Sequence, residues 1–153
     1  MNTEPVCFGS RSNQYGAFNI TKTGLLKTMK LVHKSGSIKC NPNDPASYWG
    51  CRYVEYNQNG LLTIITKSNR KAFLPPAGDL KVRNDEGCRN EKHFYHLDGI
   101  THTSPELLFS HLPNHLSVSR NQELQIWYGQ DWADCSELNN DGTTCVDVYA
   151  TYA

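Results

Sequence analysis

The sequence predicts an all-β fold, an antiparallel sandwich or barrel-like domain with long loops and disulfide braces. Three observations carry this. Runs rich in aromatic and β-branched residues recur along the chain, separated by glycine, proline and asparagine clusters. Helical periodicity is nearly absent. Six cysteines stand far apart with no CxxC pair, which fits disulfides in an oxidising compartment and argues against a zinc ribbon or a thioredoxin-type site.

In chain order, 16–22 and 25–33 read as strands. The clearest hairpin joins 48–56 to 61–66, because Asn57-Gln58-Asn59-Gly60 between them offers glycine where positive φ is wanted. A further strand is expected at 91–97. The stretch from Pro105 to Leu112 reads instead as one or two helical turns, with Ser104 as N-cap, Pro105 at the first helical position and Pro113 as the stop. Strands follow at 116–119, 124–128 and 145–152. In the last, Val146, Val148, Ala150 and Tyr152 fall on one face while Asp147, Tyr149 and Thr151 fall on the other. Leu124, Ile126 and Tyr128 alternate with Gln125 and Trp127 in the same way. Loops are expected at 41–45, 75–78 and 84–87, and Asn140-Asp141-Gly142 reads as a turn. No break in composition divides the chain, so residues 1–153 are expected to form one domain.

Composition narrows the function classes. Fifteen basic and fifteen acidic residues cancel, leaving no electrostatic case for nucleic acid or an anionic membrane. No run approaches the roughly 20 apolar residues of a membrane span. Local stapling would pair Cys40 with Cys51 and Cys135 with Cys145, leaving Cys7 for Cys88, with an intersubunit bridge as the alternative. Asn19-Ile20-Thr21 is a glycosylation acceptor in a secreted chain. Met1-Asn2-Thr3-Glu4-Pro5 has neither a charged n-region nor an apolar h-region, so a mature secreted chain behind an added initiator is expected.

The chemistry concentrates near the carboxy terminus. Gln130, Asp131, Asp134, Glu137, Asn139, Asn140, Asp141 and Asp147 place five carboxylates and three amides in one short segment. Oxygen donors of this kind suit Ca²⁺, which takes six to eight of them at about 2.3–2.6 Å. The spacing is not that of an EF-hand, and no helices flank it. The same composition also makes an ordinary polar turn, so both readings stand on composition alone. Tyr128, Trp132 and Tyr149 border the segment, and exposed aromatic rings beside polar loops commonly pack on a partner.

Other motifs carry less. His93 and His96 lie three apart, on opposite faces of a strand. Pro113 between His111 and His115 prevents a regular helical pair. No HExxH, GxSxG, phosphate-binding glycine loop or cysteine–histidine nucleophile signature is present, so no catalytic residue is assigned. Asp131 and Glu137 could serve glycoside hydrolysis only if correctly separated. The run Lys67-Ser68-Asn69-Arg70-Lys71 reads as a solvated hairpin end.

The pattern Ile126-Trp127-Tyr128-Gly129-Gln130-Asp131, then Ser136-Glu137 and Asn140, then Thr144-Cys145-Val146-Asp147-Val148-Tyr149-Ala150, resembles the calcium-dependent galactose-binding lectins of sea anemones. The resemblance covers about the last 30 residues. It implies a secreted, homodimeric lectin that binds terminal β-linked galactose through Ca²⁺. By position it implies Gln130, Asp131, Glu137, Asn140 and Asp141 as metal ligands. Gln130, Asp131, Glu137 and Asn140 would also contact the sugar, with Trp132 or Tyr128 covering its C–H face. The adjacent Gln130-Asp131 pair is similar to the amide-plus-carboxylate pair of galactose-type C-type lectins, but no proline separates the two. The C-type loop geometry is therefore not implied. An extracellular matrix protein with a calcium-stiffened loop and no sugar ligand is the alternative.

Overall fold

The computed structural model describes residues 4–52, 59–82, 88, 92–110, 116–135 and 137–153. The elements run β1 (Val6–Gly9), β2 (Gly16–Asn19), β3 (Gly24–Lys39), β4 (Gly50–Cys51), β5 (Gly60–Leu61), β6 (Thr63–Lys67), β7 (Ala72–Leu74), β8 (Lys81–Val82), β9 (Lys92–Phe94), β10 (Glu106–Phe109), β11 (Leu116–Val118), β12 (Glu123–Tyr128), the short helix α1 (Gly129–Ala133) and β13 (Asp141–Tyr152). All strand pairs are antiparallel. The all-β expectation holds.

One sheet is built on the long ladder between β3 and β13, which stay paired from Asp141↔Lys39 to Tyr152↔Leu26. β1 extends it beyond β13, and β10 and β11 both pair with β3. The second sheet has the order β2-β12-β6-β7. Val6, Phe8, Leu26, Met29, Leu31, Val146 and Val148 of the first sheet share one buried cluster with Phe18, Ile65, Leu124, Ile126 and Tyr128 of the second. Burial of this apolar area is the main source of stability, at about 25 cal/mol per Å².

Period-two alternation explains β13, where Val146 and Val148 are buried and Tyr149 is exposed. It also explains a correction. Residues Glu106–Phe109 form β10 and not a helix, because Leu107 and Phe109 point into the core while Glu106 and Leu108 point out. Cross-strand pairing with Val32 to Met29 overrides the local capping signal at Ser104-Pro105. A second correction concerns Asn140-Asp141-Gly142. The turn closes earlier, with the Asn140 amide donating to the Glu137 carbonyl at 3.0 Å, and β13 begins at Asp141. Gly142 keeps its positive φ of 97° inside the strand, where a Cβ would stand 2.1 Å from the Ser37 carbonyl oxygen.

A third correction is that β12 does not alternate between core and solvent. Gln125 and Trp127 are as buried as Leu124, Ile126 and Tyr128, so both faces of this strand are covered. The expected hairpin at 48–66 appears as the pairing of β4 with β5, while turn residues 57 and 58 lie outside the described residues. His111, His115 and the 84–87 loop lie outside them too.

The disulfides join Cys7 to Cys145, Cys40 to Cys51 and Cys88 to Cys135. Only Cys40–Cys51 matches the local expectation. Cys7 and Cys145 are register partners in neighbouring strands, so the sheet brings together cysteines 138 positions apart. Cys145 is therefore not available to Cys135.

Candidate functional site

The acidic segment is positioned by the end of β12. Gly129 turns the chain from strand into α1, and its amide donates to the Leu62 carbonyl at 2.6 Å. A Cβ there would lie 2.1 Å from the carbonyl oxygen of His93, so only glycine allows α1 to press this closely on β9. Asp134 ends α1 in the left-handed conformation, and the Cys135 amide donates to the Gln130 carbonyl at 3.0 Å. The Cys88–Cys135 disulfide fixes the far end.

Facing this segment is the loop between β1 and β2, residues 10–14, which contributes mainly backbone. Ser12 and Asn13 both have positive φ, 61° and 59°, and the amides of 12–14 are all turned to carboxylates of the acidic segment. Such a nest binds negative charge. The Asn13 and Gln14 amides donate to the two carboxylate oxygens of Asp131 at 2.8 and 3.0 Å, and the Ser12 amide donates to Glu137 Oε1 at 3.1 Å. The Asn140 side-chain Nδ2 donates to the Ser10 carbonyl at 3.0 Å and to Gln130 Oε1 at 2.7 Å. Arg11 donates to the Leu138 carbonyl at 3.1 Å. Two loops more than 100 residues apart in sequence are thus laced together.

Among the described residues, three buried oxygens in this lacing have no hydrogen-bond partner: Ser10 Oγ, Glu137 Oε2 and Asn140 Oδ1. Leaving a buried acceptor unpaired costs about 1–3 kcal/mol, so an unpartnered set in one place calls for a donor or a cation. The carboxyl of Glu137 is pushed above its ordinary value, first by burial and then by the negative charges of Asp131 and Asp134 and a side-chain hydrogen bond with Asp134; the Ser12 amide opposes this only in part. A depression of about 530 Å³ opens beside Glu137, lined by Asp134, Cys135, Glu137, Leu138 and Asn139; Ser10 and Asn140 do not line it.

The segment therefore divides the predicted residues. Gln130, Asp131, Glu137 and Asn140 are brought together. Asp141 is exposed at the start of β13. Trp132 is half-buried, its indole Nε1 donating to the Arg70 carbonyl at 2.9 Å. Tyr128 is a correction: it is wholly buried, with its hydroxyl donating to the Gly50 carbonyl at 2.7 Å, so its ring has no face for a sugar. Arg70 is also more than a solvated hairpin end. Its guanidinium lies 4.5 Å from the Trp127 ring centroid and donates to the Trp132 carbonyl at 2.6 Å. Sequence reasoning missed Ser10 and the amides of 12–14; the turn-like composition Gly9-Ser10-Arg11-Ser12-Asn13 is the only signal that points to them.

Among the described residues, the groups of three or more histidine, cysteine or carboxylate ligands that converge are Cys88, His93 and Cys135, and Cys40, Asp44 and Cys51; the carboxylates of the 130–141 segment do not form such a group by themselves. In both, the sulfurs are bonded to each other and are not free as ligands. The side chains of the 130–140 segment offer carboxylate and amide oxygens, which suit a hard cation such as Ca²⁺ better than zinc.

No family model matches the chain, and no curated protein sequence does. The solved structure of AJLec from the sea anemone Anthopleura japonica matches with a TM-score of 0.80 at 28% identity, covering 100% of this chain and 95% of its own. Along its whole length, then, the chain is similar in fold to a sea-anemone lectin.

Proposed function

We propose that this chain is a secreted lectin that binds terminal β-linked galactose through a Ca²⁺ ion held by the 130–141 segment. The observation that carries the reading is the set of unpartnered buried oxygens on Ser10, Glu137 and Asn140, of which the Glu137 carboxyl is raised by burial and then by its acidic neighbours. A divalent cation would satisfy the acceptors and relieve the repulsion together. The likeness to a lectin, not an enzyme, supports a binding role, and the three disulfides favour an extracellular setting. No helix among the described residues is long and apolar enough to cross a membrane.

In this reading Glu137 and Asn140 hold the ion through their unpaired oxygens. Gln130 and Asp131 shape the site, Gln130 by orienting Asn140 and Asp131 by fixing the 10–14 loop. Asp141 stands exposed next to Asn140, and Trp132 lies next to Asp131 in α1. When bound, Ca²⁺ exchanges coordinated water for vicinal sugar hydroxyls, which its variable coordination number permits. A single open site of this kind is expected to bind weakly, with a Kd of about 0.1–1 mM. A homodimer with two such sites would gain avidity on a glycan-coated surface.

The test is a thermal melt with calcium, with calcium plus methyl β-galactoside, and with chelator. Calcium should raise the midpoint, and the galactoside should raise it further only when calcium is present. A calcium shift with no galactoside response at any concentration would support the matrix-protein reading instead. Galactoside binding undiminished by chelator would remove the metal from the mechanism.

A further inference from the structure

Beside the site, one aromatic ring is both exposed and braced. Tyr15 follows Gln14, whose amide holds Asp131, and is 42% exposed. Its ring stacks on Trp127, with centroids 4.8 Å apart and an interplanar angle of 29°. Trp127 is fixed in turn, since its indole Nε1 donates to Gln125 Oε1 at 3.0 Å and Arg70 sits against its ring. Arg70 and Trp132 are tied by reciprocal hydrogen bonds, which connects this aromatic layer to α1.

From Tyr15 a groove of about 650 Å³ follows β2, the edge strand of its sheet, to the turn at Arg120 and Asn121. Glu4, Asn19, Arg120 and Asn121 line it. Small-molecule sites are usually about 300–1,000 Å³, so the volume suits a short oligosaccharide. The lining suits one as well. A preset aromatic face stands at one end to pack against pyranose C–H groups, and amide, carboxylate and guanidinium groups lie beyond it to exchange hydrogen bonds with hydroxyls. The opposite charges of Glu4 and Arg120 do not favour a polyanion.

We infer that this groove is an extended subsite for the sugar residues adjoining the terminal galactose, with Tyr15 as its stacking platform. The inference rests on the reading that a terminal galactoside sits over the 130–140 loop. Tyr15 joins the two places because it leaves the loop that clasps Asp131 and enters β2. Tyr15 thereby takes the role for which the sequence suggested Tyr128, but on the neighbouring sugar.

The experiment compares methyl β-galactoside, lactose and a linear β-galactosyl trisaccharide by calorimetry in saturating calcium, using the full chain with Asn19 unmodified. The longer sugars should bind about three- to tenfold more tightly than the monosaccharide. Tyr15→Ala and Arg120→Ala should each reduce that ratio toward one without changing monosaccharide or calcium affinity, and Tyr15→Phe should keep it. Equal affinity for all three sugars in the unsubstituted protein overturns the subsite and leaves the terminal site standing. A Tyr15→Ala variant that weakens methyl β-galactoside as much as lactose overturns it too, making Tyr15 part of the terminal site. No binding of any galactoside overturns the lectin reading itself, and the subsite with it.

Discussion

Two stretches of the same acidic segment, the helix α1 and the turn at 137–140, receive amides from one facing loop and put them to opposite use. Asp131 in α1 is wholly buried, and each of its carboxylate oxygens accepts a backbone amide. Glu137 accepts one amide and leaves its second oxygen without a partner, with its protonated form favoured by burial and by nearby negative charge. Asp131 is a clasp whose charge is already satisfied. Glu137 keeps one acceptor oxygen open, and the proposed calcium site uses it. A list of acidic residues cannot separate these roles; the allocation of hydrogen bonds does.

The contrast breaks most visibly at Asp131. Because the 10–14 loop is closed on this carboxylate, Asp131→Ala should destabilise the fold and not merely remove a ligand. Two part-buried amides lose the one carboxylate they share, a loss of about 3–4 kcal/mol. That corresponds to a fall in Tm of roughly 6–16 °C for a domain of this size, read by calorimetry without calcium. An unchanged melt would show that the clasp contributes nothing to the fold.

Glu137→Gln should do the reverse. It removes the repelled charge but keeps the shape, so the metal-free melt should rise slightly. Calcium affinity should fall by about 100-fold or more, as measured by titration calorimetry. A variant that binds calcium normally would take Glu137 out of the ligand set.

The smallest effect sharpens the contrast through pH. A carboxyl whose folded pKa is raised contributes stability that is fully present below its unfolded value, near 4.5, and is lost as pH rises through the higher folded value. The advantage of Glu137→Gln over the unsubstituted chain should therefore be largest at neutral pH and vanish below about 4.5, in chelator. Saturating calcium should invert the trend, since the ion holds the ionised form. His102, whose pKa is lowered from 6.5 by burial and then by Arg52, weakens both proteins alike as pH falls through its folded value and cancels in the difference.

The fold was largely legible because strand periodicity survives wherever one face is wet, as in β13. It failed for β12, where both faces are buried and Tyr128 and Trp127 cannot be ranked by alternation. The Cys40–Cys51 bridge, 11 positions apart, was readable from proximity. Cys7–Cys145 was not, because strand register between remote segments decides it. At the site, the donor-rich segment announces itself by composition. Its partner loop acts through the amides of Ser12, Asn13 and Gln14, and backbone groups leave no mark in a residue alphabet.

The bond between Cys7 and Cys145 has a practical consequence. It fastens one outer strand to the last one, so nearly the whole polypeptide is enclosed in a single covalent ring. A protease cutting once at any exposed bend between them would open the ring without releasing a fragment. Such a cut would release no fragment on a non-reducing gel and would show only after thiol treatment.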